Sequence, residues 1–320
     1  MDKNIWDQFV KKNDGSVYQL YGWQNICREV FGYDPSPIVL TQNGAISGTF
    51  PGIKRGWQKN NFVSLPFVDW AGPVVTCGKS FRQLMSKISK QFSSWEVFSL
   101  LNFGFNIHVY QIFELAINSD YSTILAKVYH HKTRNMVSKG KRQEFGVDFR
   151  QLTVEDLPEF SSLYLKTMKK IGTLCLPLKI FPALLKEFSS HSFVSRVTFR
   201  EKLVAGLWTF IFNQKIYVWA NVSEEKFLSQ GANYLAYDAV IKFAAENNFK
   251  AVILGASSVD SSQGFFKERW GAKAYPVFLY SSCPTVISRR WEFLKILKIF
   301  LKILPDSLYV KCSHLAWRFS

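Results

Sequence analysis

The chain has 320 residues, 48% of them hydrophobic and 16% aromatic, which is length and apolar material for about two globular domains. Its 40 Lys and Arg against 24 Asp and Glu leave a formal charge of +16, a field that attracts phosphates, nucleic acid or an anionic membrane surface and says nothing about fold. Five scattered cysteines (Cys27, Cys77, Cys175, Cys283, Cys312) without a CxxC pair argue against a disulfide framework, and the His130–His131 pair has no cysteine or carboxylate at ligand spacing, so no metal site is expected.

In chain order, apolar residues recurring at three and four from Val17 to Phe31 predict a helix. After the Pro35–Pro37 break, Ile38–Thr41 and Ala45–Phe50 read as strands joined by a hairpin turn at Asn43–Gly44. Residues 60–75 mix an apolar core with turn residues. Lys79–Phe92 reads as a helix, and His108–Glu114 and Leu125–Val128 as strands. Residues 132–142, KTRNMVSKGKR, carry cations and no acid; they read as a solvated connector at a domain boundary or as a phosphate-tracking surface. Strand character returns at 144–147.

Thr153 and Asp156 form a capping signal for a helix to Lys170, and Leu178–Phe188 reads as a second helix. Ser192–Phe199, Leu203–Phe212 and Lys215–Ala220 alternate as three strands. The helix Gly231–Asn247, the buried strand Lys250–Leu254, the loop 255–263, a short helix holding Lys267 and the strand Ala274–Tyr280 complete the domain. The N-terminal segment lacks the pattern of a signal peptide, and no apolar run reaches the about 18 residues of a bilayer span, so a cytoplasmic protein is expected.

Two helices, three strands, helix, strand, helix, strand is the order of a GNAT-type acyl-N-acyltransferase domain. The chain further resembles the FemAB/FemX family of peptidoglycan-bridge aminoacyltransferase relatives. The likeness is carried by Gly231-Ala232-Asn233-Tyr234-Leu235, by Gly255-Ala256-Ser257-Ser258 and above all by Phe266-Lys267-x-x-Trp270-Gly271. In the first half it is carried by SLPFVDWAGP (64–73) and the Trp23 region. The resemblance spans most of residues 15–281. It implies an α/β chain of two tandem GNAT-like domains, placed at 1–143 and 144–285, with a basic amphipathic tail at 286–320. Departures from the family are an LGASS stretch without the arginine common in relatives, no long helical-hairpin insertion, and only Gln230-Gly231-Ala232 left of the loop that cradles CoA pyrophosphate.

Amide-forming acyl transfer needs a neutral amine, a positioned carbonyl, and positive charge or N–H donors at the tetrahedral oxyanion. One such donor contributes about 3–4 kcal/mol. Lysine, with a reference pKa near 10.4, suits that charge role better than base work. From its neighbours alone, Lys267 reads either as a solvated residue above the Phe266–Trp270 pair or as a cation at the mouth of a cleft; the resemblance implies that it faces the reacting centre.

Asp69 reads as a base or orienting group for the acceptor amine, or as a turn-forming Asp beside Gly72-Pro73. Ser257, Ser258, Ser261 and Ser262 read as turn residues or as hydrogen-bond partners of a donor, and no triad or Gly-x-Ser-x-Gly elbow accompanies them. By resemblance Phe266, Trp270, Ser257, Ser258, Asn233, Tyr237 and Trp23 are the substrate-binding set.

The tail 288–305, with Lys295, Lys298 and Lys302 on one narrow face, reads as an interfacial anchor on an anionic membrane or as a helix docked on the protein itself. The resulting expectation is a cytoplasmic, peripherally membrane-bound N-acyl- or aminoacyltransferase with no tightly bound cofactor. Aminoacyl-tRNA or acyl-CoA is its co-substrate and an envelope or polysaccharide precursor its acceptor. The rival expectation is a non-catalytic GNAT pair that holds tRNA or a lipid-linked glycan.

Overall fold

The computed structural model describes residues 2–55, 61–65, 67–102, 104, 107–282 and 300–319. It divides the chain into two compact units. One comprises Met1–Val109, Ile171–Glu187 and Pro276–Ser320; the other comprises Tyr110–Lys170 and Phe188–Tyr275. These limits lie elsewhere than the domain boundaries expected at 143 and 285, and the helix Asp306–Phe319 falls in the first unit.

The first unit opens with a helix, Lys3–Lys12, whose N-cap Asp2 accepts bonds from the Asn4 and Ile5 amides and which buries Trp6 and Val10. The single helix expected over Val17–Phe31 is broken into a 3₁₀ turn Val17–Gln19, a helix Gly22–Ile26 and a π-helix Cys27–Phe31. A reciprocal box between Ser16 and Gln19 closes the first turn, and Leu20 is extended, so the 3.6-residue ladder cannot run through. Ile38–Gln42 and Ala45–Phe50 pair as the expected hairpin. Asn43 and Gly44 both have positive φ (49° and 77°), the twist that a two-residue turn needs. The helix Gly78–Gln91 buries Phe81, Leu84 and Ile88 at helical spacing, and these pack with Ile38, Phe50, Phe62, Phe92, Val97 and Tyr280 into one core.

At the other end of the chain, 283–299 and with them most of the expected amphipathic helix lie outside the described residues. A helix Asp306–Phe319 follows. Tyr309 and Ser313 are buried, and Tyr309 Oη and Trp317 Nε1 donate to the Thr173 and Cys175 carbonyls, so this helix docks on its own unit.

In the second unit the strands lie in the order Ile107–Ala116, Ala251–Ser257, Lys215–Ser223, Lys202–Phe212, Ser192–Phe199, Gly146–Gln151. All neighbours are antiparallel except Lys215–Ser223 with Ala251–Ser257. Lys202–Phe212 is buried along nearly its whole length because both its faces are covered. Ala205 and Leu207 share a core with Leu235, Val240 and Ile241 of the helix Ala232–Glu246, while the Trp208 and Phe210 rings meet Phe160 and Phe188.

Two expectations in this unit are corrected. Leu125–Val128 is a π-helix, Ile124–Val128, continuing a turn that Asp120 caps through the Thr123 amide, so an apolar run bounded by a cap became helix. The basic connector at 132–142 is a helix, His131–Lys141, which turns Thr133, Val137 and Gly140 inward at spacings of four and three and leaves most of its cations outside.

The capping signal at Thr153 and Asp156 is formed as expected. Asp156 also takes two bonds from the Arg150 guanidinium, at 2.8 and 2.6 Å, and lies 3.5 Å from Arg196. Burial opposes its ionisation, but the Arg150 bonds and the Thr153 amide outweigh it and hold the carboxyl below its ordinary 3.8. A depressed folded value stabilises above the unfolded value and is lost as pH falls through the folded one. Asp156→Asn should therefore lower the unfolding free energy at pH 7 by about 1–3 kcal/mol in urea titrations, with the gap to the unsubstituted protein closing as pH falls below 3.8. A gap that is absent, or unchanged at low pH, would contradict this role.

Candidate functional site

Lys215–Ser223 and Ala251–Ser257 are paired only at Lys215–Ala251, Ile216–Val252 and Tyr217–Ile253. Their ladder stops before either strand does, so Val218–Ser223 and Leu254–Ser257 are not paired with one another. A bulge reinforces this parting. Trp208 pairs with Ala220 and Thr209 with Val218, so Trp219 is an extra residue that bends the strand where its parallel ladder has ended.

Lys267 reaches this region from the short helix Ser262–Glu268. It is 8% exposed, which removes the reading of a solvated surface lysine. Its ammonium donates to the Ala256 carbonyl at 2.6 Å and lies 5.5 Å from the centre of the Phe113 ring. Ser257, 6% exposed, donates its hydroxyl to the same carbonyl at 2.8 Å. The helix is set by Ser261, whose side chain accepts from the Gly264 amide at 3.0 Å while its hydroxyl donates to the Ser258 carbonyl at 2.8 Å. Ser258 is exposed and takes part here through its backbone, so turn and cap chemistry accounts for Ser258 and Ser261.

Trp270 anchors the end of this helix. It is fully buried, with the Tyr237 ring stacked 5.6 Å away at 29°, the Tyr129 ring edge-on at 4.8 Å, and Tyr234 and Phe266 completing the cluster. Tyr237 in turn accepts a bond from Asn221 Nδ2 at 3.2 Å, which ties the cluster to the unladdered end of Lys215–Ser223. Three buried polar atoms around it, Trp270 Nε1, Asn221 Oδ1 and Asn233 Oδ1, have no partner. Thus Lys267, Phe266, Trp270, Ser257 and Tyr237 are brought together, with Asn233 in the first turn of the helix that carries Tyr237.

The other two predicted residues belong to the first unit. Trp23 is fully buried there, its indole N–H bonded to the Val17 carbonyl at 2.8 Å and its ring against Tyr18 and Phe67. Asp69 is half-buried beside Trp70, whose ring meets Tyr18 edge-on at 5.2 Å.

Sequence reasoning missed Phe113, Asn221 and a carboxylate, Asp238. Asp238 stands among the apolar residues of the Ala232–Glu246 helix and is 4% exposed. The Tyr121 hydroxyl donates to it at 2.8 Å, Tyr129 at 3.2 Å, and the Lys141 ammonium lies 3.1 Å away. Burial and the Asp238 charge push both phenols well above their ordinary range, so they stay protonated as donors. A lone acid in an apolar helical stripe is the signal that would have found it.

Gly231 caps that helix with φ 91°. The Met136 carbonyl lies 2.5 Å from where a Cβ would stand, and the Gly140 amide 3.0 Å. This glycine is therefore accounted for by the close crossing of the His131–Lys141 helix, with no need of a pyrophosphate-binding role. Among the described residues no group of His, Cys, Asp or Glu is arranged to hold a metal ion, and no helix is long and apolar enough to cross a membrane.

No protein-family profile matches the chain, and no curated protein matches it either. Solved structures do. FemX aligns over 88% of this chain and 96% of its own, with TM-score 0.66 at 12% identity. The fold is FemX-like. The C-terminal domain of a putative lysylphosphatidylglycerol synthetase from Agrobacterium fabrum aligns over 88% of this chain and 92% of its own (TM-score 0.59, 12% identity). L-PGS from Bacillus licheniformis aligns over 94% and 96% (TM-score 0.56, 12% identity). These likenesses bear out the α/β, GNAT-like architecture expected from element order. At such identity they speak for fold alone.

The glycine reading is testable. Gly231→Ala should destabilise the protein by about 1–3 kcal/mol in urea unfolding, through both its positive φ and the Met136 contact. A change within about 0.5 kcal/mol would show that the helix crossing yields without cost.

Proposed function

We propose that the chain is an N-acyl- or aminoacyltransferase that modifies an amino group of a cell-envelope or polysaccharide precursor, with Lys267 stabilising the oxyanion. The observation that carries this reading is a buried ammonium held at the unladdered end of a parallel strand pair, bonded to the Ala256 carbonyl. In the reaction, the acceptor amine attacks the acyl carbonyl, its C=O becomes a tetrahedral oxyanion, and collapse expels the donor's oxygen or sulfur leaving group, which departs with the proton the nitrogen gives up. An ammonium already desolvated and fixed by a short helix needs little rearrangement to meet that charge, and in a dry site its effect is large.

The unpartnered Asn221 and Asn233 carbonyl oxygens and the Trp270 N–H offer polar contacts to a substrate entering beside it. The FemX and lysylphosphatidylglycerol synthetase likenesses favour an envelope acceptor, and the missing pyrophosphate loop favours a donor gripped elsewhere than at a CoA diphosphate.

Ser257 still donates to the Ala256 carbonyl when Lys267 is replaced, so Lys267→Met leaves that acceptor satisfied and should fold. Incubated with labelled aminoacyl-tRNA or acyl-CoA and an extract of lipid-linked and nucleotide-linked amino sugars, the unsubstituted protein should transfer label. Lys267→Met should lose at least about 100-fold in turnover with an unchanged near-ultraviolet circular dichroism spectrum. Equal turnover would remove Lys267 from the mechanism, and no transfer from any donor would favour a binding protein.

A further inference from the structure

We propose that the first unit carries a binding site for a small phosphate ester, in a pocket between the π-helix Cys27–Phe31, the turn entering the Ile180–Phe188 helix, and the Asp306–Phe319 helix. The pocket measures about 350 Å³, and its lining includes Arg28, Phe31, Pro177, Lys179, His314 and Trp317. All of these belong to one unit, and none takes part in the Lys267 site.

Its charge is uncompensated. Glu29 also lines the pocket, but its carboxylate is engaged by Lys186 at 3.3 and 3.4 Å. Lys179 spends one donor on the Glu29 main-chain carbonyl at 3.1 Å, which leaves its ammonium charge unmatched and two N–H groups unused. The Arg28 side chain has no ion pair or hydrogen bond among the described residues. His314 Nε2 is buried without a partner, a state that costs free energy unless a ligand relieves it. Burial and the nearby Lys179 charge keep this imidazole below its ordinary 6.5, so its electrostatic surroundings are positive.

The occupant follows from this inventory. Two permanent cations call for a dianion, which a phosphate monoester supplies near neutral pH and a single carboxylate does not. Its three terminal oxygens match the guanidinium fork, the Lys179 ammonium and the imidazole N–H. The walls are apolar. Phe31 is stacked on Phe67 at 4.5 Å, and Trp317 meets Phe31 at 5.8 Å with its indole N–H already bonded to the Cys175 carbonyl, so these rings offer carbon surface to an organic group and no further donors. The pocket also falls within the usual range of small-ligand cavities, above what a bare phosphate fills. π-Helical turns such as Cys27–Phe31 are frequent at functional sites in general.

The test is calorimetric titration of the full chain with phenyl phosphate and, separately, inorganic phosphate. Phenyl phosphate should bind saturably at one site and more tightly than inorganic phosphate, and the His314 ring resonances should shift on saturation. Arg28→Gln and Lys179→Met should each weaken it about tenfold or more, while Lys132→Gln, a surface cation of the second unit, should leave it unchanged. Arg28 is exposed, so its variant tests the site without threatening the fold. No saturable binding, or an equal loss in Lys132→Gln, overturns the proposal in favour of general attraction to a basic protein. Equal affinity for inorganic phosphate overturns the organic part of it.

Discussion

A single carbonyl sets the geometry on which the second unit depends. The Ala256 oxygen, on a strand whose parallel ladder has already ended, receives both the Lys267 ammonium and the Ser257 hydroxyl. Taking an ammonium out of water is costly unless acceptors replace its hydration. The carbonyl and the Phe113 ring supply part of that replacement. The charge can stay only where the strand offers it an acceptor and the short helix holds it in place. Three features fix that helix: the Ser261 cap, the buried Trp270 at its end, and the tight turn at Gly271, where φ is 85°.

The rest of the unit supports this arrangement through rings more than through charges. Trp270 is held by Tyr129, Tyr234 and Tyr237, and Tyr129 is itself bonded to Asp238, where Tyr121 and Lys141 also converge. Aromatic pairs of this kind contribute about 0.5–1.5 kcal/mol each beyond their area, and they fix orientation because a ring has few ways to sit. Asp238 joins the cluster to the His131–Lys141 helix, which Gly231 and Gly140 allow to approach closely. A basic segment that looks solvated in the sequence therefore also serves the packing of the helix that carries Tyr237.

What was legible in the sequence was local. The Asn43–Gly44 hairpin, the Thr153–Asp156 box and the strands from Ser192 to Phe212 follow from turn chemistry, capping and alternation, each decided within a few residues. The turns Arg200–Glu201 and Asn213–Gln214 that follow these strands have positive φ at both residues, although neither contains glycine. The failures share a cause. Leu125–Val128 and 132–142 carry apolar or charged character that fits several local states, and tertiary packing chose among them. At the site, the aromatic setting of Lys267 and the FemX-like motif singled out a lysine that the structure shows buried and bonded to the Ala256 carbonyl. Phe113 and Asn221 come from strands far away in sequence, and no local pattern places them beside it. Gly231 is the converse case, where the remnant of a pyrophosphate loop is accounted for by a helix crossing.

The most direct measurement is a crystal structure of the protein with a phosphonamidate analogue of the tetrahedral intermediate. The expected density places an anionic oxygen of the analogue within hydrogen-bond distance of Lys267 Nζ, beside the unladdered ends of Lys215–Ser223 and Ala251–Ser257. Density that leaves Lys267 on the Ala256 carbonyl alone, with the analogue bound elsewhere or not at all, would contradict a role for this lysine at the reacting centre.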